Sequence, residues 1–343
     1  MSASEPRDPK ERLLRVLRKQ AVDRPPVICA GGSMTAAVLE AIGEDAPLPA
    51  AHSSPVLMAN LCAQIQHRTG FENLGVPLCT TIEAEALGSH VSTGSLTCEP
   101  TIIREAFRDV SSAQFPQPGA VLNRGRVPVF LEATRILARD YPALPVLANL
   151  IGPTSTAAAT VDPVAFLKGL RKDREHAHRL VAAVTRFLCS LATRLIEHGA
   201  TVIVIHDDTA TPALLGLTLF QEFTTRYLAT LIEHIHGSGT PVILHLCGNL
   251  ADALPLLAHL GSDALSVGAA TSVRVVKEVA PSLPVMGNVS TMKLHLGNPA
   301  WVEARAERLL AEGVDILAPA CGLSVCTPLA NIHALTKISG KAS

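Results

Sequence analysis

The chain has 343 residues, of which 48% are hydrophobic and 17% are charged. A chain of this composition buries a large core, so an intrinsically disordered protein is excluded. Its 29 Lys and Arg balance 30 Asp and Glu, and aromatic residues make up only 3%. These values argue against a nucleic-acid-binding surface and against a polybasic membrane-binding segment.

The N-terminal 24 residues are rich in charge and lack the apolar core of a signal peptide. No run of 18 apolar residues occurs anywhere in the sequence, so no transmembrane helix is expected. We therefore expect a cytoplasmic protein, without membrane contact, whose eight cysteines are mostly reduced. The start of the chain is predicted to form a helical extension of a single domain that spans residues 1–343.

Short apolar runs alternate with helical patterns along the chain, most regularly after residue 145. The long pattern from about Asp162 to His198 is the clearest predicted helix. Runs that are apolar throughout are typical of parallel strands covered on both faces. The predicted strands lie at 25–32, 145–152, 201–208, 241–249, 263–268, 284–290 and 314–322, with a less regular one within 75–88.

Eight strands that alternate with helices predict an α/β fold, a closed (β/α)₈ (TIM) barrel. Residues 40–145 are the least regular part, and we interpret them as an excursion that packs over one mouth of the barrel. The alternative architecture is an open, doubly wound sheet. No strand is followed by the Gly-rich motif of a dinucleotide site or a P-loop. The Gly-Gly turn of AGGS (30–33) is only a weak signal for an anion-binding loop.

Polar residues gather where the predicted strands end, which is the catalytic face of a TIM barrel. His245 and Cys247 lie two residues apart on one strand, so their side chains point to the same side. Cys321 ends a later strand. One imidazole and two thiolates form a ligand set that suits Zn²⁺, and three protein ligands leave the open position of a catalytic site. The alternative is that these residues simply belong to the core.

Several motifs resemble the uroporphyrinogen decarboxylase superfamily, and most closely its corrinoid-dependent methyltransferase branch, which includes the methylcobamide:coenzyme M methyltransferases. The decarboxylase branch has an Arg-rich motif after the first strand, whereas residues 25–37 contain no Arg. The motifs that carry the resemblance are GVPLCTTIEAEALG (75–88), DDTATPALL (207–215), LHLCGN (244–249), GNVST (287–291), VDILAPACGL (314–323) and TPLANI (327–332).

The resemblance implies a (β/α)₈ barrel in which His245, Cys247 and Cys321 bind zinc. It implies transfer of a methyl group between a corrinoid, carried by a partner protein, and a thiol activated as a zinc thiolate. Coenzyme M and homocysteine are the expected acceptors, and cobalt is an alternative to zinc. Two other functions stay open: a lyase similar to uroporphyrinogen decarboxylase, and a non-catalytic barrel that binds a corrinoid or a metal.

Two positions depart from the family pattern. Gly268 stands near the place of an acidic residue that approaches zinc in coenzyme M methyltransferases, and Cys326 stands where a basic residue is usual. Cys326 is therefore predicted either as the fourth zinc ligand or as an ordinary loop thiol.

Three of the carboxylates within the resembling motifs are candidate functional residues. Asp207 is predicted to orient a ligand or a metal-bound His, with helix capping as the alternative. Glu83 and Glu85 suit acid–base chemistry, with Glu85 preferred as catalytic, or else they are solvated residues at a helix start. His206 and Asp208 have no counterpart in the motifs and are predicted to be structural.

Overall fold

The computed structural model describes residues 8–30 and 38–338. Seven parallel strands form one sheet in the order β1-β4-β5-β6-β7-β8-β9, and β2 pairs with β3 in a separate antiparallel hairpin. The strands are β1 (Leu74–Val76), β2 (His90–Ser92), β3 (Thr101–Arg104), β4 (Val146–Ile151), β5 (Val202–His206), β6 (Val242–Leu246), β7 (Ala264–Val267), β8 (Val285–Val289) and β9 (Ile316–Pro319).

A short extended segment around Val27 joins the two ends of this sheet. Ile28 N–H donates to the Leu317 carbonyl at 3.1 Å, and Val27 forms a parallel bridge with Leu317 on β9. On the other side, Glu72 N–H donates to the Val27 carbonyl at 2.9 Å, just before β1. The segment therefore completes a ring of eight, and the predicted (β/α)₈ barrel is confirmed.

Helices connect the strands and cover the outside of the ring. The pattern predicted between Asp162 and His198 is two helices, α8 and α9, separated by Asp173. The helices are α1 (Pro9–Leu17), α2 (Val38–Ala41), α3 (Pro55–Thr69), α4 (Ile82–Ala86), α5 (Pro118–Val121), α6 (Val127–Asp140), α7 (Pro153–Ala158), α8 (Pro163–Lys172), α9 (Arg174–Glu197), α10 (Pro212–Leu215), α11 (Leu217–Leu219), α12 (Arg226–His236), α13 (Leu254–Leu257), α14 (Val273–Val279), α15 (Thr291–Leu296), α16 (Pro299–Ala311) and α17 (Leu329–Thr336).

The region 40–145 has two parts with different positions in the fold. It contributes β1 to the barrel, and it contributes α3 and α6, which pack against each other on the outside. The β2–β3 hairpin instead lies at the mouth, where Thr101 and Ile102 share a cavity with Asp208. The interpretation of 40–145 as an excursion within one domain stays a prediction.

Side chains along each strand point alternately to the inside of the barrel and to the outer helices, so they form two buried layers. On β5, Val202 and Val204 belong to an inner cluster that includes Leu13 and Leu17 of α1. Ile203 and Ile205 of the same strand belong to the larger cluster between the strands and the outer helices. Because successive side chains of a strand point to opposite faces, this parity also decides which polar residues enter the barrel mouth.

Candidate metal centre

The inner face of β5 and β6 changes from apolar to polar toward the C-terminal end. Val202 and Val204 are followed at the same parity by His206 and Asp208, and Ile243 is followed by His245 and Cys247. His206 and His245 are register partners across the two strands, and their ring centroids are 5.2 Å apart. The sequence thus places two His residues in one layer, with Asp208 and Cys247 in the layer above them.

Four side chains meet where these two layers adjoin: Asp208, His245, Cys247 and Cys321. One potential ligand atom from each lies within 4.8 Å of the other three. His245 Nε2 is 3.3 Å from Cys247 Sγ, and the two sulfur atoms are 3.7 Å apart. His245 Nε2 is also 3.5 Å from Asp208 Oδ1. The predicted convergence of His245, Cys247 and Cys321 is therefore observed, and Asp208 joins them.

The imidazole of His245 is fixed by a hydrogen bond outside the cluster. Its Nδ1 is 2.9 Å from Ser266 Oγ on β7, which directs Nε2 toward the two sulfurs. Such a bond to the second nitrogen is the usual support of a metal-ligating His. Burial opposes the protonated form, but hydrogen bonding to Cys321 and the charge of Asp208 raise the pKa of His245.

The two cysteines behave as a pair that shares one proton. The hydrogen bond from the Cys247 thiol lowers the pKa of Cys321, and the interaction with His245 acts in the same direction, although burial opposes both. The pKa of Cys247 is raised, first by its bond to Cys321 and then by burial. The lowered pKa of Cys321 favours its thiolate, which is the form that binds a metal.

The donor set fits a tetrahedral zinc ion. Bond lengths of 2.0–2.3 Å imply donor-to-donor distances of about 3.3–3.8 Å, close to the distances found between the imidazole, sulfur and carboxylate atoms. Asp208 Oδ1 is buried and has no hydrogen-bond partner among the described residues. A buried carboxylate oxygen without a partner is costly, and a cation between these four groups would remove that cost.

Comparison with known proteins assigns the chain to a family. The family profile described as uroporphyrinogen decarboxylase matches residues 8–341, almost the whole chain. The chain belongs to the uroporphyrinogen decarboxylase family. No helix among the described residues of this family member is long and apolar enough to cross a bilayer.

Relatives place it in the methyltransferase branch, as predicted. It is 31% identical over 331 residues to the methylcobamide:CoM methyltransferase MtbA of Methanosarcina acetivorans, with 96% of each chain covered. It is 30% identical over 335 residues to the methylcobamide:CoM methyltransferase MtaA of Methanosarcina barkeri, with 95% of this chain and 96% of the relative covered. The prediction of a methyltransferase is confirmed by these relatives.

Solved structures agree with this assignment. A methyltransferase from Methanosarcina mazei superposes with a TM-score of 0.90 at 31% identity, and 98% of this chain and 99% of that chain are covered. A B12-independent methionine synthase from Shewanella sp. W3-18-1 superposes with a TM-score of 0.60 at 16% identity, covering 93% and 97%, and shares the fold.

Asp207, predicted to be catalytic, has the opposite parity to Asp208 and lies outside the barrel mouth. Its carboxylate is fully buried and accepts hydrogen bonds from the N–H groups of Ser155 at 2.7 Å and Thr154 at 3.4 Å. These groups open α7, so Asp207 holds the start of that helix, the alternative given by the sequence. Burial, against the effect of these bonds, raises the pKa of Asp207 to about 7.

Glu85 and Glu83 lie on α4, and neither belongs to the four-residue cluster. Glu85 accepts a hydrogen bond from Arg126 Nε at 2.7 Å. Glu83 is buried, and its Oε1 accepts from Ile151 N–H at 2.9 Å, whereas Oε2 has no partner within the described part of the chain. Burial raises the pKa of Glu83 to about 7. These contacts place both carboxylates in the wall behind the mouth.

The remaining predicted positions are also located. Cys326 is exposed and is not one of the four clustered residues. A Cβ at Gly268 would lie 3.5 Å from Cys247 Cα, so this glycine does border the cluster. The glycines of AGGS (30–33) and its Ser33 lie outside the described residues.

Sequence reasoning missed Asp208, although a signal for it was present. Counting in twos along β5 from the inner Val204 reaches His206 and Asp208, not Asp207. The resemblance drew attention to Asp207, because that residue matches a family motif. The alternation of side chains along the strand, taken alone, favours Asp208 as the residue that faces the barrel mouth.

Proposed function

We propose that this chain transfers a methyl group between a corrinoid, carried by a partner protein, and a thiol acceptor. His245, Cys247 and Cys321 would hold a zinc ion, with Asp208 as the fourth ligand. The observation that carries the proposal is the convergence of these four side chains at the barrel mouth. The relatives whose names describe methylcobamide:CoM methyltransferases support the reaction class.

Zinc, when bound, would lower the pKa of a thiol that joins its ligands, so that a thiolate forms at neutral pH. The thiol proton leaves to water. The thiolate sulfur then attacks the methyl carbon, the new S–C bond forms as the C–Co bond breaks, and the electron pair stays on cobalt as Co(I). The reverse reaction would load the corrinoid from a methylated donor.

The protein residues have separate tasks in this reaction. Ser266 holds the imidazole of His245 in place, and the inner apolar layer excludes water from below. Asp208 has a side chain that is 40% exposed, whereas that of His245 is 4% exposed. Asp208 also borders an open cavity. It is therefore the ligand best placed to yield its position to the acceptor thiol.

The names of the relatives make coenzyme M a candidate acceptor, and homocysteine is the alternative from the sequence. A large corrinoid can approach only across the C-terminal face, where the cluster opens. We further propose that the reaction takes place in the cytoplasm, with a soluble corrinoid protein as the partner.

Metal analysis tests the site directly. The purified chain is expected to contain about one zinc per molecule, and Cys321→Ser and His245→Ala are expected to lose it. Cys326→Ser is the matched control, because this thiol is exposed and outside the cluster, and it should keep the metal. Loss of zinc from Cys326→Ser with retention in Cys321→Ser would contradict the assigned ligand set.

Activity is measured as demethylation of methylcobalamin in the presence of thiols. The zinc-loaded chain is expected to exceed the uncatalysed rate, and Cys321→Ser is expected to fall to that rate. A zinc-loaded native chain that leaves methylcobalamin intact with every thiol, and also with a methylated corrinoid protein, would refute the proposal.

A further inference from the structure

A cavity of about 360 Å³ lies beside the metal cluster, between the β2–β3 hairpin, the end of β4 and the end of β5. Asp208 belongs both to its wall and to the cluster. A thiol whose sulfur reaches the cluster through this opening would therefore leave the rest of the molecule in the cavity. The inference drawn from this cavity rests on the proposed function.

The lining of the cavity is rich in hydroxyl groups. Five of its eleven residues carry one: Thr80, Thr81, Thr101, Ser155 and Thr209. Ser155 Oγ accepts from Thr209 N–H at 2.9 Å, and the Ser155 side chain also hydrogen-bonds the carboxylate of Asp207. Hydroxyl groups both donate and accept, and they suit a polar group that does the same.

The charges around the cavity are negative. None of the eleven lining residues is Lys or Arg, and Asp208 contributes a carboxylate. The carboxyl group of Glu83 lies directly behind Ile151, to whose N–H it is bonded.

One cationic side chain, that of Arg126, contacts the cavity wall from the side that faces the protein interior. Arg126 is 5% exposed and donates to Thr81 Oγ1 at 2.7 Å. Its guanidinium also donates to Glu85 at 2.7 Å and to Cys79 Sγ at 3.3 Å. Its charge is therefore balanced by Glu85, and three of its five N–H donors are directed to Glu85, Cys79 and Thr81, so it offers little to an anion in the cavity.

From this lining we infer that the acceptor thiol carries a hydrogen-bonding tail without negative charge, such as a hydroxyl, an amide or an amine, and not a sulfonate or a carboxylate. A bound zinc ion would offset only two of the three negative charges of Asp208 and the two cysteine thiolates, so an anionic tail would still meet net negative charge, and like charges placed together oppose binding. The acceptor would then differ in charge from the one in the names of the relatives.

The test compares short thiols of similar length: 2-mercaptoethanol, 2-mercaptoethanesulfonate, 3-mercaptopropionate and cysteamine. Binding is measured with the cobalt-substituted chain, whose thiolate-to-cobalt absorption band changes when a further thiol binds. Turnover is measured as kcat/KM with methylcobalamin. In both measurements 2-mercaptoethanol is expected to exceed the sulfonate by about tenfold or more, because the anion meets uncompensated negative charge.

A matched pair of variants assigns the effect to the cavity. Thr101 is exposed on β3 and lines the cavity, so a longer side chain is expected to be tolerated. Thr101→Lys should shift the ratio of sulfonate to 2-mercaptoethanol binding toward the sulfonate by about tenfold relative to Thr101→Gln, which adds length without charge.

Two results would overturn the inference: a native chain that binds the sulfonate or the carboxylate best, or a Thr101→Lys variant whose ratio equals that of Thr101→Gln. Binding in the expected order without any methyl transfer would support the cavity assignment and refute the proposed reaction. A failure of the cavity assignment and a failure of the proposed methyl transfer therefore give different results.

Discussion

Asp207 and Asp208 are neighbours in sequence with different surroundings, because consecutive side chains leave a strand on opposite sides. Asp207 enters the layer between β5 and α7, where backbone N–H groups surround it. Asp208 enters the mouth, where it meets an imidazole and two thiols. The same residue type is thus a helix anchor at one position and a candidate ligand at the next.

Asparagine substitutions should separate these two roles. Asp208→Asn is expected to weaken zinc binding by about tenfold or more, because a neutral amide replaces an anionic donor. Asp207→Asn is expected to retain the metal and to lower the free energy of unfolding by about 1–3 kcal/mol, because a buried acceptor is altered. Chelator competition and thermal unfolding measure the two effects. An Asp207→Asn variant that loses zinc but keeps its stability would contradict this division.

Glu83 makes stability depend on pH. Its pKa is raised by burial to about 7, above the usual value near 4.5, so the folded state retains a proton that the unfolded state loses. The contribution of Glu83 to the free energy of unfolding should therefore fall as pH rises from about 4.5 to 7, by a few kcal/mol at most. Asp207, whose pKa burial also raises to about 7, contributes in the same direction, whereas His52 and His206, whose pKa burial lowers to about 4, contribute in the opposite direction. Glu83→Gln should flatten this part of the curve, as measured by urea unfolding at several pH values.

The control for that experiment is Glu175→Gln. The Glu175 side chain is 84% exposed and lies 3.9 Å from Arg179 in a surface pair, which contributes little to stability. This variant should retain the pH dependence of the native chain. If Glu83→Gln retained it as well, another buried group would have to be its source.

At the scale of elements, the turn between β4 and α7 is the most constrained connection near the site. Glu83 binds the N–H of Ile151, Asp207 binds those of Thr154 and Ser155, and Gly152 lies between them. A Cβ at Gly152 would lie 2.5 Å from Asp207 Cγ. The turn therefore depends on a glycine for space, not for its backbone angles.

Gly152→Ala is expected to destabilise the fold by about 1–3 kcal/mol, as overpacking of a buried position does. Gly119→Ala is the matched control, because a Cβ there would meet no atom within 4 Å. Thermal unfolding of both variants measures the difference. Equal melting temperatures would show that the turn relaxes without cost.

The strands from β4 onward were predictable because each is an apolar run long enough to stand out between helices. β1 has only three residues, and its neighbours Glu72 and Asn73 are polar side chains that sit buried. A strand of three residues is too short to show a hydrophobic periodicity in the sequence. Its place in the ring comes from bonds to Val27 and Val146, which are far away in the sequence.

The same limit applies to the metal centre. His245 and Cys247 could be paired from the sequence because they share one strand, and Cys321 could be joined to them because it ends a later strand of the predicted barrel, an interpretation that the family resemblance supports. Strand parity indicates that Asp208 faces the barrel mouth, but its distance from His245 depends on how β5 is placed beside β6, and the exposed position of Cys326 depends on the course of a loop. The spacing of residues along the chain specifies neither this distance nor the course of the loop.

At the scale of the whole molecule, α1 closes the lower end of the barrel and is tied to it by a buried ion network. Arg12 is 4% exposed and donates to Asp23 at 2.8 Å and to Glu72 at 2.8 Å. These contacts join the N-terminal helix to the residues that precede β1. The network therefore couples the formation of α1 to the assembly of the barrel.

Arg12→Met is expected to lower the free energy of unfolding by about 3 kcal/mol, because two carboxylates in or near the core lose a counter-charge. Arg179→Met, which removes an exposed arginine from a surface helix, should change it little. Urea unfolding measures both. A small effect of Arg12→Met would mean that Arg24, 2.5 Å from Glu72, compensates.

The bridge between Val27 and Leu317 has a consequence for the order of events during synthesis. Leu317 follows Val27 by about 290 residues, so it emerges from the ribosome long after its partner. Until then, the first segment can bond only on the side of Glu72. Closure of the ring, and with it the meeting of Cys321 with His245 and Cys247, must wait until β9 has been synthesised. The metal centre is therefore assembled after translation of the barrel strands and not during it.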